Sequence, residues 1–220
     1  MKNFFSITAF LFFFSCGYAQ HKIKVACIGN SITAGSGVKD KNNTYPNQLQ
    51  RMLGDQYEVK NFGISGRTLL RKGDRPYWKE QGFTTAKEYS PDIVIIKLGT
   101  NDAKPQNWKY KDEFEADYKD FIREFKNLPS KPKIWLCYPV PVVKTNFGIT
   151  DSIVKGEIIP KIKRIAKAEN LKIINAYKGM KGFENHVPDG IHPDDIGSGQ
   201  LAKIIYKSVK KYKPRKNLVE

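Results

Sequence analysis

Cysteine is scarce in this chain. There are three in 220 residues, Cys16, Cys27 and Cys137. That number excludes a disulfide-built scaffold, and no CxxC pair offers zinc-ligand spacing. Histidine is equally sparse, at His21, His186 and His192, so no His/Cys/Asp cluster stands at ligand spacing and no metal or other cofactor is expected. Acid is short relative to base, 22 Asp and Glu against 38 Lys and Arg, for a formal charge of +16. Such an excess attracts anionic surfaces and polyanions but says nothing of the fold. A nucleic-acid binder concentrates its charge on one recognition element. Here the lysines are spread along the chain, with a modest cluster at Lys207, Lys210, Lys211, Lys213, Arg215 and Lys216, so no nucleic-acid partner is expected. After residue 14 no apolar run is long enough to cross a membrane. Repeats and low-complexity linkers are missing too, and nothing in the pattern specifies an oligomeric state.

The start of the chain reads as an address. Lys2 gives a basic opening, Phe4 to Phe14 an apolar stretch too short to span a bilayer, and Gly17-Tyr18-Ala19 the small residues that precede a cut before Gln20. That layout is a secretory signal over 1–19, leaving 20–220 as one exported domain, periplasmic or extracellular. A competing reading makes Cys16 the acylated residue of a lipoprotein signal, for which Phe13-Phe14-Ser15 is a poor lead-in.

The remaining length suits a single core that needs no covalent staple. Strands are expected at 22–28, 57–61, 93–98, 134–138 and 172–175, with Ile93–Leu98 so continuously β-branched that both its faces must be buried. Helices are expected at 44–53, 113–126 with Asp112 as N-cap, 158–168 with Pro160 starting or kinking it, and 196–212. This alternation predicts an α/β fold on a parallel sheet. The common strand order for five such strands is 2-1-3-4-5, with chemistry at their carboxyl ends. A third strand would then separate Cys27 from Cys137, leaving both as buried free thiols. Lys97, inside the apolar third strand, is expected to reach the sheet end or to meet a carboxylate.

Small and polar residues gather after the strands: Gly29-Asn30-Ser31-Ile32-Thr33, Asn61-Phe62-Gly63-Ile64-Ser65-Gly66, Gly99-Thr100-Asn101-Asp102, and Asp189-Gly190-Ile191-His192 before the last helix. Hydrolysis by a side-chain nucleophile needs such a set: nucleophile, base, orienter and oxyanion donors. Ser31, in a Gly-flanked turn, is either a nucleophile or a helix cap. Asp189 lies three residues before His192 and can turn back onto one ring nitrogen, leaving the other to take a serine proton. The alternative is an Asx-turn. Gly66 offers an unshielded N–H and Asn101 a side-chain NH₂, oxyanion donors if they are not simple turn residues. Asp102 is expected to brace the loop.

Together the four blocks resemble those of the SGNH (GDSL-like) hydrolases. The resemblance implies a three-layer αβα sandwich, a flavodoxin-like fold with a five-stranded parallel sheet, Ser31 as nucleophile, His192 as base, Asp189 as orienter, and an oxyanion hole from the Ser31 and Gly66 N–H groups and the Asn101 side chain. One departure is Asn30, where the family usually has Asp. The extended block GTNDAKPQNW at 99–108, with the secretion signal, is similar to that of secreted bacterial carbohydrate acetylesterases of the sialate O-acetylesterase-like kind. The implied substrate is an acetylated saccharide or other small ester. Tyr77, Trp78 and Trp108, in polar loops, are candidates to stack on sugars or else to pack the loops onto the sheet. Arg67, with Arg71, Lys72 and Arg75, is a candidate anion-binding cluster or a solvated face. No apolar lid is visible, which favours short acyl groups over fatty ones. The other readings are a lipid-ester hydrolase of lysophospholipase or thioesterase type, and a glycan-binding module without catalysis.

Overall fold

A computed structural model describes residues 22–212. The expected leader over 1–19, with Cys16, lies outside the described residues, as do His21, Lys213, Arg215 and Lys216. Five strands, β1 (Ile23–Gly29), β2 (Tyr57–Gly63), β3 (Ile93–Lys97), β4 (Lys133–Cys137) and β5 (Lys172–Ile174), form one parallel sheet in the order β2-β1-β3-β4-β5. The register sets Gly29 opposite both Gly63 and Lys97, so β1, β2 and β3 end level and their loops leave the sheet side by side.

Alternation along each strand feeds two cores. Val25, Cys27, Ile93, Ile95 and Trp135 face the helices α1 (Tyr45–Leu53) and α5 (Asp195–Val209). Ala26, Ile28, Val94, Ile96 and Leu136 face α2 (Gln81–Glu88), α3 (Phe114–Lys126) and α4 (Ile159–Ala168). On α3 the stripe Phe114, Tyr118, Phe121, Ile122 and Phe125 is fully buried, each large side chain worth roughly 1.5–3 kcal/mol. Helix α2 supplies the crossover between β2 and β3. Its sequence hides it, because Phe83 and Ala86 are the buried positions in eight residues.

One expectation about a helix end is corrected. Asp112 does not cap α3. The N-cap is Glu113, which is itself helical and makes no side-chain cap, because the chain arrives already coiled through successive turns from Asn107 to Glu113. Pro160 falls in the first turn of α4, as expected, where its missing N–H costs little. Residues 151–168 wind continuously, with a π-turn at Val154–Ile158 just ahead of the proline. A wider turn there relieves the clash of the ring with the preceding carbonyl and the loss of its N–H.

Cys27 and Cys137 are free and buried, with β3 between their strands, and burial pushes both thiols up to about 12. They pack as small hydrophobes rather than as reactive thiols. Lys97 is 1% exposed, and its Nζ has no partner among the described residues, so the expected carboxylate is not there. Burial lowers its ammonium from 10.5 to about 8. The unfolded chain therefore holds this proton more tightly, and stability should rise as pH climbs from about 8 to 10.5. Lys97→Met should be the more stable protein at pH 7. Its advantage over wild type should shrink by about 3 kcal/mol between pH 8 and 10.5 in denaturant titrations. A difference that does not move with pH would contradict an isolated buried ammonium.

Candidate active site

Ser31 follows β1 as the first residue of a short helix, Ser31–Ala34. The turn is tight enough to need glycine beneath it. A Cβ on Gly29 would lie 2.0 Å from Thr33 Oγ1, and one on Gly63 would lie 2.2 Å from the Ala34 nitrogen. The loop after β2 is thereby pressed against the serine turn, and Ser36 Oγ and Ser65 Oγ join the two loops at 3.2 Å.

From the other end of the chain comes the segment before α5. Asp189 Oδ1 accepts from the backbone N–H groups of Ile191 and His192, at 2.9 and 2.7 Å. Its Oδ2 meets His192 Nδ1 at 2.6 Å. His192 Nε2 then lies 2.8 Å from Ser31 Oγ. Burial pushes the Asp189 carboxyl up, but the hydrogen bonds from the His192 backbone, its ring and Ile191 outweigh that and hold it below the ordinary range. A carboxylate kept ionised there fixes the proton on Nδ1 and leaves Nε2 free to accept from the Ser31 hydroxyl. Asp194 secures the segment. It caps α5 through the Ile196 and Gly197 N–H groups, both at 2.9 Å, and contacts His186 Nδ1 at 3.0 Å.

Gly66 adopts φ +82, and among the described residues neither its N–H nor that of Ser31 has a protein acceptor. Asn101 Nδ2 donates one hydrogen to the Arg67 carbonyl at 3.0 Å, which ties it to the residue after Gly66 and leaves its second hydrogen available. Asp102 braces this corner as expected, accepting from the Leu69 and Leu70 N–H groups at 3.1 and 2.8 Å. Burial raises its carboxyl to about 6. Asn30 is fully buried and its amide has no partner among the described residues. Among those residues no group of three or more His, Cys, Asp and Glu side chains is placed to hold a metal ion.

The aromatic candidates pack inward. Tyr77 is fully buried, donates its hydroxyl to the Phe62 carbonyl, and sets its ring edge-on to Phe83 and Phe121. Trp108 is 6% exposed, packs on Phe114 and donates to Glu157 at 2.9 Å. Trp78 is half-buried between Phe83, Phe121 and the Arg71 guanidinium, and donates to the Leu69 carbonyl. Stacking on substrate is corrected to packing for Tyr77 and Trp108, whose faces are covered, and Trp78 is held in the same way. The basic cluster is largely neutralised: Arg67 pairs with Glu80 at 2.8 Å, Arg71 with Asp120 at 3.0 Å and Lys72 with Glu113 at 2.7 Å. Three of the four cations thus have acids from elsewhere in the chain and are not a free anion site. Arg75 is exposed and lies alongside Gly66.

One residue beside the site carries no motif. Phe147, in the loop after β4, is 61% exposed with its ring centroid 6.1 Å from that of His192. Asn146-Phe147-Gly148, a few residues after Pro139 and Pro141, is a turn signal with an aromatic at its tip.

These features define an α/β fold with a serine, an imidazole and a carboxylate in hydrogen-bonded sequence at the sheet edge. The profile of the GDSL-like Lipase/Acylhydrolase family matches residues 27–199, and the chain belongs to that family. It is 42% identical over 210 residues to an acetylxylan esterase of Xylanibacter ruminicola, covering 87% of this chain and 44% of that protein. It is 28% identical over 135 residues to a multidomain esterase of Ruminococcus flavefaciens, covering 60% of this chain and 17% of that one. The chain therefore spans less than half the length of these curated relatives. A carbohydrate acetylesterase from Sinorhizobium meliloti shares the fold, with a TM-score of 0.68 at 23% identity, over 86% of this chain and 98% of that one.

Packing and substrate contact predict different outcomes for Trp108→Ala. The buried ring should cost about 3–5 kcal/mol in a denaturant titration. In the fraction that stays folded, KM for the substrate proposed below should change less than about two-fold, since a ring covered by protein makes no substrate contact. A stable variant with a sharply raised KM would restore Trp108 to the substrate site.

Proposed function

We propose that this chain hydrolyses acetyl esters of carbohydrates through Ser31, His192 and Asp189. The observation that carries the reading is the continuous contact from Asp189 Oδ2 through the imidazole to Ser31 Oγ. In the first half-reaction Ser31 Oγ attacks the acetyl carbonyl carbon while His192 Nε2 takes the hydroxyl proton. The oxyanion receives hydrogen bonds from the Ser31 and Gly66 N–H groups and the Asn101 amide. Collapse breaks the bond to the sugar oxygen, which leaves with the proton from His192, and the acetyl group stays on Ser31. Water then gives a proton to His192 and attacks the acetyl carbon; the bond to Ser31 Oγ breaks as His192 returns that proton to it, and acetic acid leaves, ionising to acetate in solvent. Asp189 stays ionised throughout and stabilises the transient imidazolium.

The substrate class rests on two supports. The acetylxylan esterase relative points to acetylated xylan-type polysaccharide. The large apolar side chains left exposed among the described residues are Val143, Phe147 and Ile196, too little surface to take up a fatty acyl chain. That disfavours the lipid-ester reading. A glycan-binding module would have no use for a serine hydroxyl held against a carboxylate-oriented imidazole. Export through a leader cut after Ala19 would bring the enzyme to its polymer. The exported protein should then begin at Gln20 by intact mass, and a mature form retaining residues 1–19 would refute the cut.

Wild-type protein given acetylated xylo-oligosaccharides should release acetate. Ser31→Ala should lower that rate on the order of 10³-fold or more while leaving the unfolding midpoint nearly unchanged. Undiminished acetate release by the alanine variant would overturn the mechanism, and saccharide binding without turnover by wild type would favour the binding module.

A further inference from the structure

The turn that carries Phe147 is built at a cost. Ile149 N–H donates to the Asn146 carbonyl at 2.8 Å, with Asn146 N–H returning toward Ile149 at 3.4 Å, so Phe147 and Gly148 are the two central residues of a hairpin turn. Their φ values are +51 and +74. Two left-handed residues in succession make the turn type that favours Asn, Asp or Gly at its first central position. A phenylalanine there meets steric opposition at Cβ, and burial of its ring does not offset it, because the ring is 61% exposed. A bulky apolar side chain that is strained in its backbone and bare to solvent is a mark of function rather than of stability.

The turn is also held in place. Asn146 Nδ2 donates to the Asp189 carbonyl at 3.0 Å and Val143 N–H to the Gly190 carbonyl at 2.9 Å. Gly190, at φ +86, leaves no gap, since a Cβ there would lie 2.3 Å from the Lys144 carbonyl oxygen. On its far side Gly148 packs on Pro105, where a Cβ would approach Cδ to 3.0 Å. The turn is thus fixed relative to the segment that carries Asp189 and His192, and the ring it presents stands 6.1 Å from the imidazole, centroid to centroid.

Chemistry decides what lies in front of it. The leaving sugar oxygen must come within hydrogen-bond reach of His192 Nε2 to take its proton. The pyranose attached to that oxygen is then a bond or two from the imidazole, beside Phe147. One face of a pyranose is a patch of C–H groups, suited to an exposed aromatic ring. We infer that Phe147 is the stacking platform for the acetylated sugar ring, and so a specificity-determining residue. This rests on the carbohydrate-esterase reading above.

The test is a ratio. For wild type, Phe147→Asn and Phe147→Trp, kcat/KM is measured on acetylated xylo-oligosaccharides and on vinyl acetate, an ester with no sugar ring. In Phe147→Asn the saccharide-to-vinyl-acetate ratio should fall about ten-fold, mainly through a raised saccharide KM, and the unfolding midpoint should hold or rise as turn strain is relieved. In Phe147→Trp the ratio should stay within about three-fold of wild type. An unchanged ratio in Phe147→Asn, or an equal fall on both esters, would overturn the platform. Wild-type protein that hydrolyses vinyl acetate but not the saccharide would instead refute the carbohydrate reading itself.

Discussion

Ser31 Oγ and His192 Nε2 meet at 2.8 Å although 161 positions separate them in the chain. The sheet makes that contact possible. Parallel strands send every following loop out of one edge, and the level ends of β1, β2 and β3 bring three of those loops into one plane. The imidazole arrives from the start of α5, whose apolar stripe of Leu201, Ala202, Ile205 and Val209 is locked onto the same sheet face as α1. A shift of either element by a fraction of an ångström would lengthen the hydrogen bond. The close approaches at Gly29, Gly63 and Gly190 leave little room for such a shift.

Two carboxylates near this edge have opposite environments. Asp189 is partly open and has two N–H groups and an imidazole around it, so it is held below its ordinary range and carries charge beside the imidazole. Asp102 is wholly buried, and burial lifts it to about 6 despite its backbone donors. One serves the imidazole and the other fastens the loop that carries Gly66 and Arg67. Lys97, at the end of β3, is buried like Asp102. Among the described residues its ammonium and the Asn30 amide have no hydrogen-bond partner.

Much of the fold is legible in sequence because its signals are local. Ile93–Lys97 can only be a doubly buried strand, and the small residues that close each strand mark the functional edge. The pairing of Asp189 with His192 is readable from a spacing of three within one turn. What is not readable depends on distant partners. Arg67, Arg71 and Lys72 look like a free basic run until Glu80, Asp120 and Glu113 arrive from other elements. Tyr77 and Trp108 sit among polar neighbours in sequence, yet their loops fold back over the α2–α3 layer and bury them. Phe147 carries no motif, and its importance appears only when its backbone angle, exposure and distance to His192 are seen together.

The central claim is that the Ser31 hydroxyl is the attacking group. The most direct measurement is active-site labelling with a fluorophosphonate, which transfers phosphorus to a nucleophilic serine oxygen with loss of fluoride, followed by peptide mass mapping. One adduct is expected, on Ser31, whose formation tracks the loss of acetate release and which is absent in His192→Ala. Full inactivation with Ser31 unmodified, or stoichiometric labelling of a different residue, would contradict it.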